Sequence, residues 1–151
     1  MVKKADWDSM SLMFSKLDES PGNCMKQVLY KWGKALEGIL ADLDTTSTQI
    51  ELLAALAALM KEGSPVTQKD VAEFSRKDKN TVSEVMRTLE MNGYITRSAS
   101  GDDLRAKYLV ITDKGFRLVQ KALGQVLLID AQFFPNEDDN RELRRLLNKH
   151  L

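Results

Sequence analysis

Apolar side chains recur at three- and four-residue spacing between residues 24 and 43. Val28, Leu29, Trp32, Leu36, Ile39, Leu40 and Leu43 form the stripe of an amphipathic helix. Thr48 and Glu51 have the spacing of a capping box, which predicts that a second helix starts at Thr48. Residues 50–60 are almost wholly apolar, as in a helix buried on most sides. Thr67, with Asp70 three residues later, marks another cap; residues 68–74 then form a helix that buries Val71, Ala72 and Phe74. The polar turn Ser75-Arg76-Lys77 leads to a further cap at Asp78. The helix over residues 79–92 carries Val82, Val85, Met86 and Leu89 on one face and stops at Gly93, a left-handed terminator.

From Tyr94 the period changes. Residues 94–97 and 107–111 read as two short strands, and the polar segment 98–106 between them as a hairpin tip. Thr112 caps a long helix running to about residue 134, with Phe116, Val119, Leu123, Val126 and Leu127 as its stripe. A last helix follows Pro135, over about residues 137–151. Two short helices, a tight turn and then a hairpin, in that order, describe a winged helix-turn-helix. Phe133, Phe134, Leu143, Leu146, Leu147 and Leu151 are too many apolar groups for the end of a monomer to expose, so the first and last helices are expected to form a dimer surface. The predicted fold is mainly α with a small β-hairpin wing: a winged helix-turn-helix flanked by N- and C-terminal dimerisation helices.

The 151 residues are 43% hydrophobic and 29% charged, the balance of an ordinary globular domain with a sizeable core. Twenty-two basic against 22 acidic residues leave no bulk charge that would mark a nucleic-acid partner. The distribution says more: residues 65–117 hold 10 basic and 8 acidic groups, a mild excess within the predicted winged segment. A single cysteine, Cys24, excludes an intrachain disulfide, and with one histidine, His150, no Cys/His metal cluster is expected. The N-terminus lacks the apolar core of a secretory signal, and the apolar run at residues 50–60 is too short to span a membrane, so a cytoplasmic location with no membrane partner is expected. There is no Gly-rich phosphate loop and no histidine-based triad, which argues against an enzyme and against a cofactor.

A helix-turn-helix lays its second helix in the major groove. The helix over residues 79–92 would present Lys79, Asn80, Thr81, Ser83, Glu84 and Arg87 there, side chains suited to base edges and phosphates. Gln68 and Lys69 at the start of the preceding helix, Arg97 at the wing base, and Asp103, Arg105 and Lys107 around the wing tip complete the candidate DNA-binding set. Glu84 is the odd member: it can accept from a cytosine N4 amine or simply repel phosphate.

These residues carry a resemblance. The threonine-led helix start Thr48-Gln49-Ile50-Glu51, the segments 78–83 and 89–97, the wing tip Asp103-Leu104-Arg105-Ala106-Lys107 and Ile111-Thr112-Asp113-Lys114-Gly115 together resemble the MarR family of transcriptional regulators. Its most specific part is the Asp-x-Arg of the wing, nine and seven residues before the threonine of Ile-Thr-x-x-Gly. The resemblance spans about residues 25–150 and implies one domain over residues 1–151: dimerisation helices at 1–44 and 116–151, and a DNA-binding lobe at 48–115. It further implies a homodimer with interlocked terminal helices that binds a pseudo-palindromic double-stranded DNA operator, as a repressor in the favoured reading, with a frequent small-molecule (a small aromatic or phenolic compound) or redox effector. In the wing, Asp103 can hold the Arg105 guanidinium by a bidentate pair and so aim it at a narrow minor groove. Many relatives carry a second arginine where this chain has Leu104, which leaves one cation fewer at the tip.

Met25 and Trp32 are candidates for the effector site, in a pocket between the dimer base and the DNA-binding lobe. In the hydroperoxide-sensing subgroup a cysteine lies four residues before the tyrosine of a Leu-Tyr pair; here Lys26 occupies that place and Cys24 lies six residues before Tyr30, which argues against a redox sensor of that kind. The alternative reading is a winged-helix protein–protein adaptor without DNA binding, for which the zero net charge is the main support.

Overall fold

The computed structural model describes residues 2–99 and 107–151, with no side-chain description at Ala99 and Lys107. The wing-tip residues Asp103, Leu104 and Arg105 lie outside the described residues. The chain divides into two compact units, Met1–Ala35 and Leu36–Leu151.

The first unit holds helix α1 (Lys4–Asp18), where the periodicity reading placed no separate helix within the expected dimerisation segment 1–44, and the first part of α2 (Pro21–Ala41). The signal for α1 was present in Trp7, Met10, Phe14 and Leu17, spaced by three, four and three residues. Every described residue of α1 is exposed, so the helix has an apolar stripe that this chain leaves uncovered. Ser20-Pro21 starts α2 three residues earlier than expected. The Ser20 hydroxyl oxygen accepts from the Asn23 N–H at 3.2 Å, and proline fits the first helical position because that position needs no amide hydrogen.

The second unit is built around α3 (Ser47–Lys61), whose Ile50, Leu52, Leu53, Ala55 and Leu56 are all buried, as its apolar run predicted. Its cap is Thr46 and not Thr48. The Thr46 hydroxyl accepts from the Gln49 N–H at 3.3 Å, and the Gln49 amide oxygen accepts from the Thr46 N–H at 3.3 Å and from the buried Thr45 hydroxyl at 2.9 Å. Glu51 is thereby free to pair with Lys77 at 2.9 Å, which ties α3 to the turn after α4 (Gln68–Ser75). Val71 and Ala72 of α4 are buried as expected, but Phe74 is 57% exposed, because it points away from the face that packs on α3.

Helix α5 (Lys79–Met91) buries Val82, Met86 and Leu89. It ends at Gly93, which takes φ 73°, and the Tyr94 N–H reaches back to the Leu89 carbonyl at 2.9 Å. Strands β1 (Ile95–Ala99) and β2 (Lys107–Ile111) pair antiparallel, Ile95 opposite Ile111 and Ala99 opposite Lys107. Leu109 also bridges to Val66, its N–H meeting the Val66 carbonyl at 2.8 Å, so the spacer before α4 extends the hairpin into the core.

Thr112 caps α6 (Asp113–Phe133) as predicted, accepting from the Gly115 N–H at 3.1 Å. The stripe differs from expectation: Leu118, Val119, Ala122 and Ile129 are buried, whereas Phe116, Leu123 and Leu127 are exposed. The helix thus has two apolar faces, one buried and one exposed. Helix α7 (Glu137–Leu147) starts at the Asn136 cap, ends in a 3-10 turn over Asn148–His150, and buries no residue.

Gly115 is the tightest position of the lobe. A Cβ there would lie 2.1 Å from the Tyr94 carbonyl oxygen and 3.0 Å from Ile111 Cγ1. Gly115→Ala should therefore lower the unfolding free energy by about 3 kcal/mol or more, because backbone and not a flexible side chain must yield. Urea unfolding checks this; an unchanged midpoint would mean that the first turn of α6 shifts freely.

The caps also predict an acid response. The Thr67 hydroxyl and N–H hold Asp70 below the ordinary aspartate range, and the Thr81 hydroxyl and N–H do the same for Asp78. A carboxylate with a lowered folded-state pKa stabilises the fold above its unfolded value of about 4, and that contribution is lost as pH falls through the folded value. A chain carrying Asp70→Asn and Asp78→Asn is expected to be less stable at neutral pH and to lose less stability on acidification from about pH 5. Thermal melts across that range would show two parallel curves if the carboxylates contributed nothing.

Candidate nucleic-acid interface

Three restraints fix α5. At its start, the Asp78 carboxylate accepts from the N–H groups of Asn80 at 3.0 Å and Thr81 at 2.9 Å, and from the Thr81 hydroxyl. At its end is the Gly93 terminator. Between them, Val82, Met86 and Leu89 are fully buried and orient the helix about its own axis.

At about 100° per residue, the side opposite these three carries Asn80, Glu84, Arg87 and Met91. All four are exposed, Met91 to 80%. Ser83 and Thr81 flank the stripe and are half-buried, and Lys79 is exposed in the first turn. The outward row thus offers an amide, a carboxylate, a guanidinium and a thioether. Among the described residues, no ion pair or hydrogen bond engages the side chains of Asn80, Glu84 or Arg87. Met91 was not among the residues read from sequence, although it continues the spacing of the polar ones.

Gln68 and Arg97 come together. The half-buried Arg97 donates from Nε to Glu90 at 2.9 Å and from Nη2 to the Gln68 amide oxygen at 3.3 Å. The arginine thereby links β1 to the start of α4 and the end of α5. Lys69 stands exposed and pairs with Glu73 at 3.6 Å, a solvated pair of little strength. Lys107 is described only as the backbone partner of Ala99.

The turn between α4 and α5 adds a cation that the sequence did not point to. Arg76 takes φ 55° and ψ 30°, and the Lys77 N–H bonds back to the Ala72 carbonyl at 3.2 Å, a left-handed helix end usually given to glycine. The Arg76 side chain is exposed at the mouth of the turn.

Met25 and Trp32 both lie in the first unit, two turns apart on one side of α2; Met25 is exposed and Trp32 half-buried. Cys24 is a free, exposed thiol. A cleft of about 720 Å³ opens where α6 meets α7, bounded by Asp130, Phe134, Arg141, Leu143, Arg144 and Leu147, and neither Met25 nor Trp32 lines it. Among the described residues, no group of three His, Cys, Asp or Glu is placed to hold a metal ion, and no helix is long and apolar enough to cross a membrane.

Comparison with known proteins bears on this arrangement. The family model described as MarR family matches residues 45–107, the winged segment. The HTH-type transcriptional regulator YdcH of Bacillus subtilis, itself uncharacterized, is 38% identical over 129 residues, 85% of this chain and 86% of that protein. In fold, the chain resembles Staphylococcus aureus MepR in its DNA complex, with a TM-score of 0.76 at 23% identity over 87% of this chain and 96% of MepR. It also resembles Bordetella bronchiseptica BpsR, with a TM-score of 0.74 at 21% identity over 88% and 94% of the two chains. The chain belongs to the MarR family of winged helix-turn-helix transcriptional regulators, a family that is not enzymatic.

Proposed function

We propose that this regulator binds a pseudo-palindromic double-stranded DNA operator as a cytoplasmic homodimer, and that it acts as a repressor released by a small aromatic or phenolic molecule. The observation that carries the reading is the outward row of α5. Its inner face is locked into the core, and its outer face presents Asn80, Glu84 and Arg87, none of which pairs with another described side chain. The lobe over residues 48–115 then supplies the DNA contacts. Lys79, Thr81, Ser83, Lys69, Lys107 and Arg105 serve phosphate or base edges, and Asp103 aims Arg105. Gln68 and Arg97 act mainly by holding the wing base against α5. MepR, whose structure includes DNA, supports the reading by likeness of fold.

The homodimer is supported by the terminal helices over residues 1–44 and 116–151. Trp7, Met10 and Phe14 on α1, Leu123 and Leu127 on α6, and Leu143 and Leu146 on α7 are large apolar groups left exposed by a single chain. The effector is supported by BpsR, whose DNA binding is regulated by 6-hydroxynicotinic acid. Met25 and Trp32 supply a thioether and an indole of the kind that grips an aromatic ring.

The zero net charge favours a second reading, an adaptor that binds protein and not DNA. A salt titration with mixed-sequence and selected DNA separates the two. A regulator loses affinity steeply with salt, Arg105→Ala lowers the magnitude of the log–log slope by about 0.9, and Asn80→Ala costs about 1–3 kcal/mol on the selected site only. Absence of binding at low salt would leave the adaptor. For the assembly, removal of residues 136–151 is expected to abolish the dimer and lower stability, since dimerisation and folding are linked. Sedimentation of the full chain as a stable monomer at micromolar concentration would overturn the homodimer.

A further inference from the structure

We propose that Glu84 is a base-reading carboxylate that selects cytosine at one position of each DNA half-site. The proposal rests on the DNA-binding reading above. It starts from a conflict in charge: Glu84 lies near the centre of the outward row of α5, where a polyanion would approach, and no described side chain neutralises it. Asn80 lies one turn before it and Arg87 one turn after, on the same face. A carboxylate taken out of water beside phosphates is tolerated only where it meets hydrogen-bond donors.

The base edges of the major groove leave one good match. Guanine presents two acceptors, and thymine an acceptor and a methyl group; both reject a carboxylate. Adenine offers its N6 amine, but the adjacent N7 acceptor repels the second carboxylate oxygen. Cytosine offers the N4 amine without a neighbouring acceptor on the same base. The guanine across the pair, or next to it, exposes O6 and N7, and the Arg87 guanidinium one turn away, paired with no other described side chain, can take both. Glu84 and Arg87 do not pair with each other, which leaves each free for its own base. Glu84 therefore sets specificity, and its charge weakens binding to every sequence that lacks the cytosine.

The test is selection of bound sites from a random duplex pool by the full-length protein, the Glu84→Ala variant and the Glu84→Gln variant, with affinities measured on the selected sites. Both substitutions lie on the exposed face, and circular dichroism checks the fold. The wild-type sites are expected to share a cytosine in each half, and replacing it should weaken wild-type binding by roughly 5- to 100-fold. Glu84→Ala should lose that preference at that position alone, while binding to unrelated DNA tightens. Glu84→Gln should move the preference toward adenine, since its amide can both accept from N6 and donate to N7. If Glu84→Ala tightens binding to all sequences alike and leaves the selected site unchanged, Glu84 is a solvated acid and the proposal fails. If the wild-type protein enriches no sequence, the DNA-binding reading itself has failed, which is a separate result.

Discussion

At Tyr94 one carbonyl oxygen closes the winged lobe. It accepts from the Thr112 N–H at 3.0 Å, and the first turn of α6 lies directly over it at Gly115, where a side chain would collide. The Thr112 hydroxyl donates to the neighbouring Gly93 carbonyl at 2.8 Å and accepts from the Gly115 N–H, so one residue ends the hairpin and begins the long helix. Lys114 adds a bond to the Asn92 carbonyl at 2.8 Å and stacks its ammonium 4.7 Å above the Tyr94 ring. The end of α5, the start of β1 and the start of α6 thus meet around the successive carbonyls of Asn92, Gly93 and Tyr94. Movement of any one of the three therefore breaks hydrogen bonds that it shares with the others.

That closure matters for function because it transmits rigidity to an exposed helix. Helix α5 has 13 residues, too few to persist alone in water, and its order comes from the buried face and from caps at both ends. Glu51–Lys77 ties the turn before it to α3, and Arg97 with Glu90 and Gln68 ties its far end to the wing base and α4. On the proposed DNA-binding reading, a row of side chains presented on such a support loses little backbone freedom on docking, so more of its contact energy remains for discriminating among bases.

The terminal helices have the opposite character. Helices α1 and α7 bury nothing within the chain, and the second apolar face of α6 is open as well. The homodimer proposed above would cover these faces. The core of the second unit draws Leu36 and Leu40 from α2 and Leu118, Val119, Ala122 and Ile129 from α6, whereas α1 and α7 contribute no buried residue. In the proposed reading, zero net charge is compatible with DNA binding because Lys79, Arg87 and the other candidate cations are placed singly and not massed.

Local signals were legible where a residue acts on its immediate neighbours. Thr67 with Asp70, Asp78, Gly93 and Thr112 all function as the caps or terminators that their spacing announced, because capping is decided within four residues. The order helix, turn, helix, hairpin followed from the change of period, and with it the family. Where two local solutions competed, the sequence did not choose: Thr48–Glu51 and Thr46–Gln49 fit the same box, and the pairing of Glu51 with a lysine 26 positions away accompanies the second. The exposure of Phe74, the two-faced character of α6 and the left-handed turn at Arg76 depend on which surface a helix meets, and periodicity alone carries no direction in space. The outward row of α5 was legible in part. The apolar face Val82, Met86 and Leu89 already announced which residues face outward, and the half-burial of Ser83 and Thr81 narrows that set to a row with Glu84 near its centre and Met91 in line.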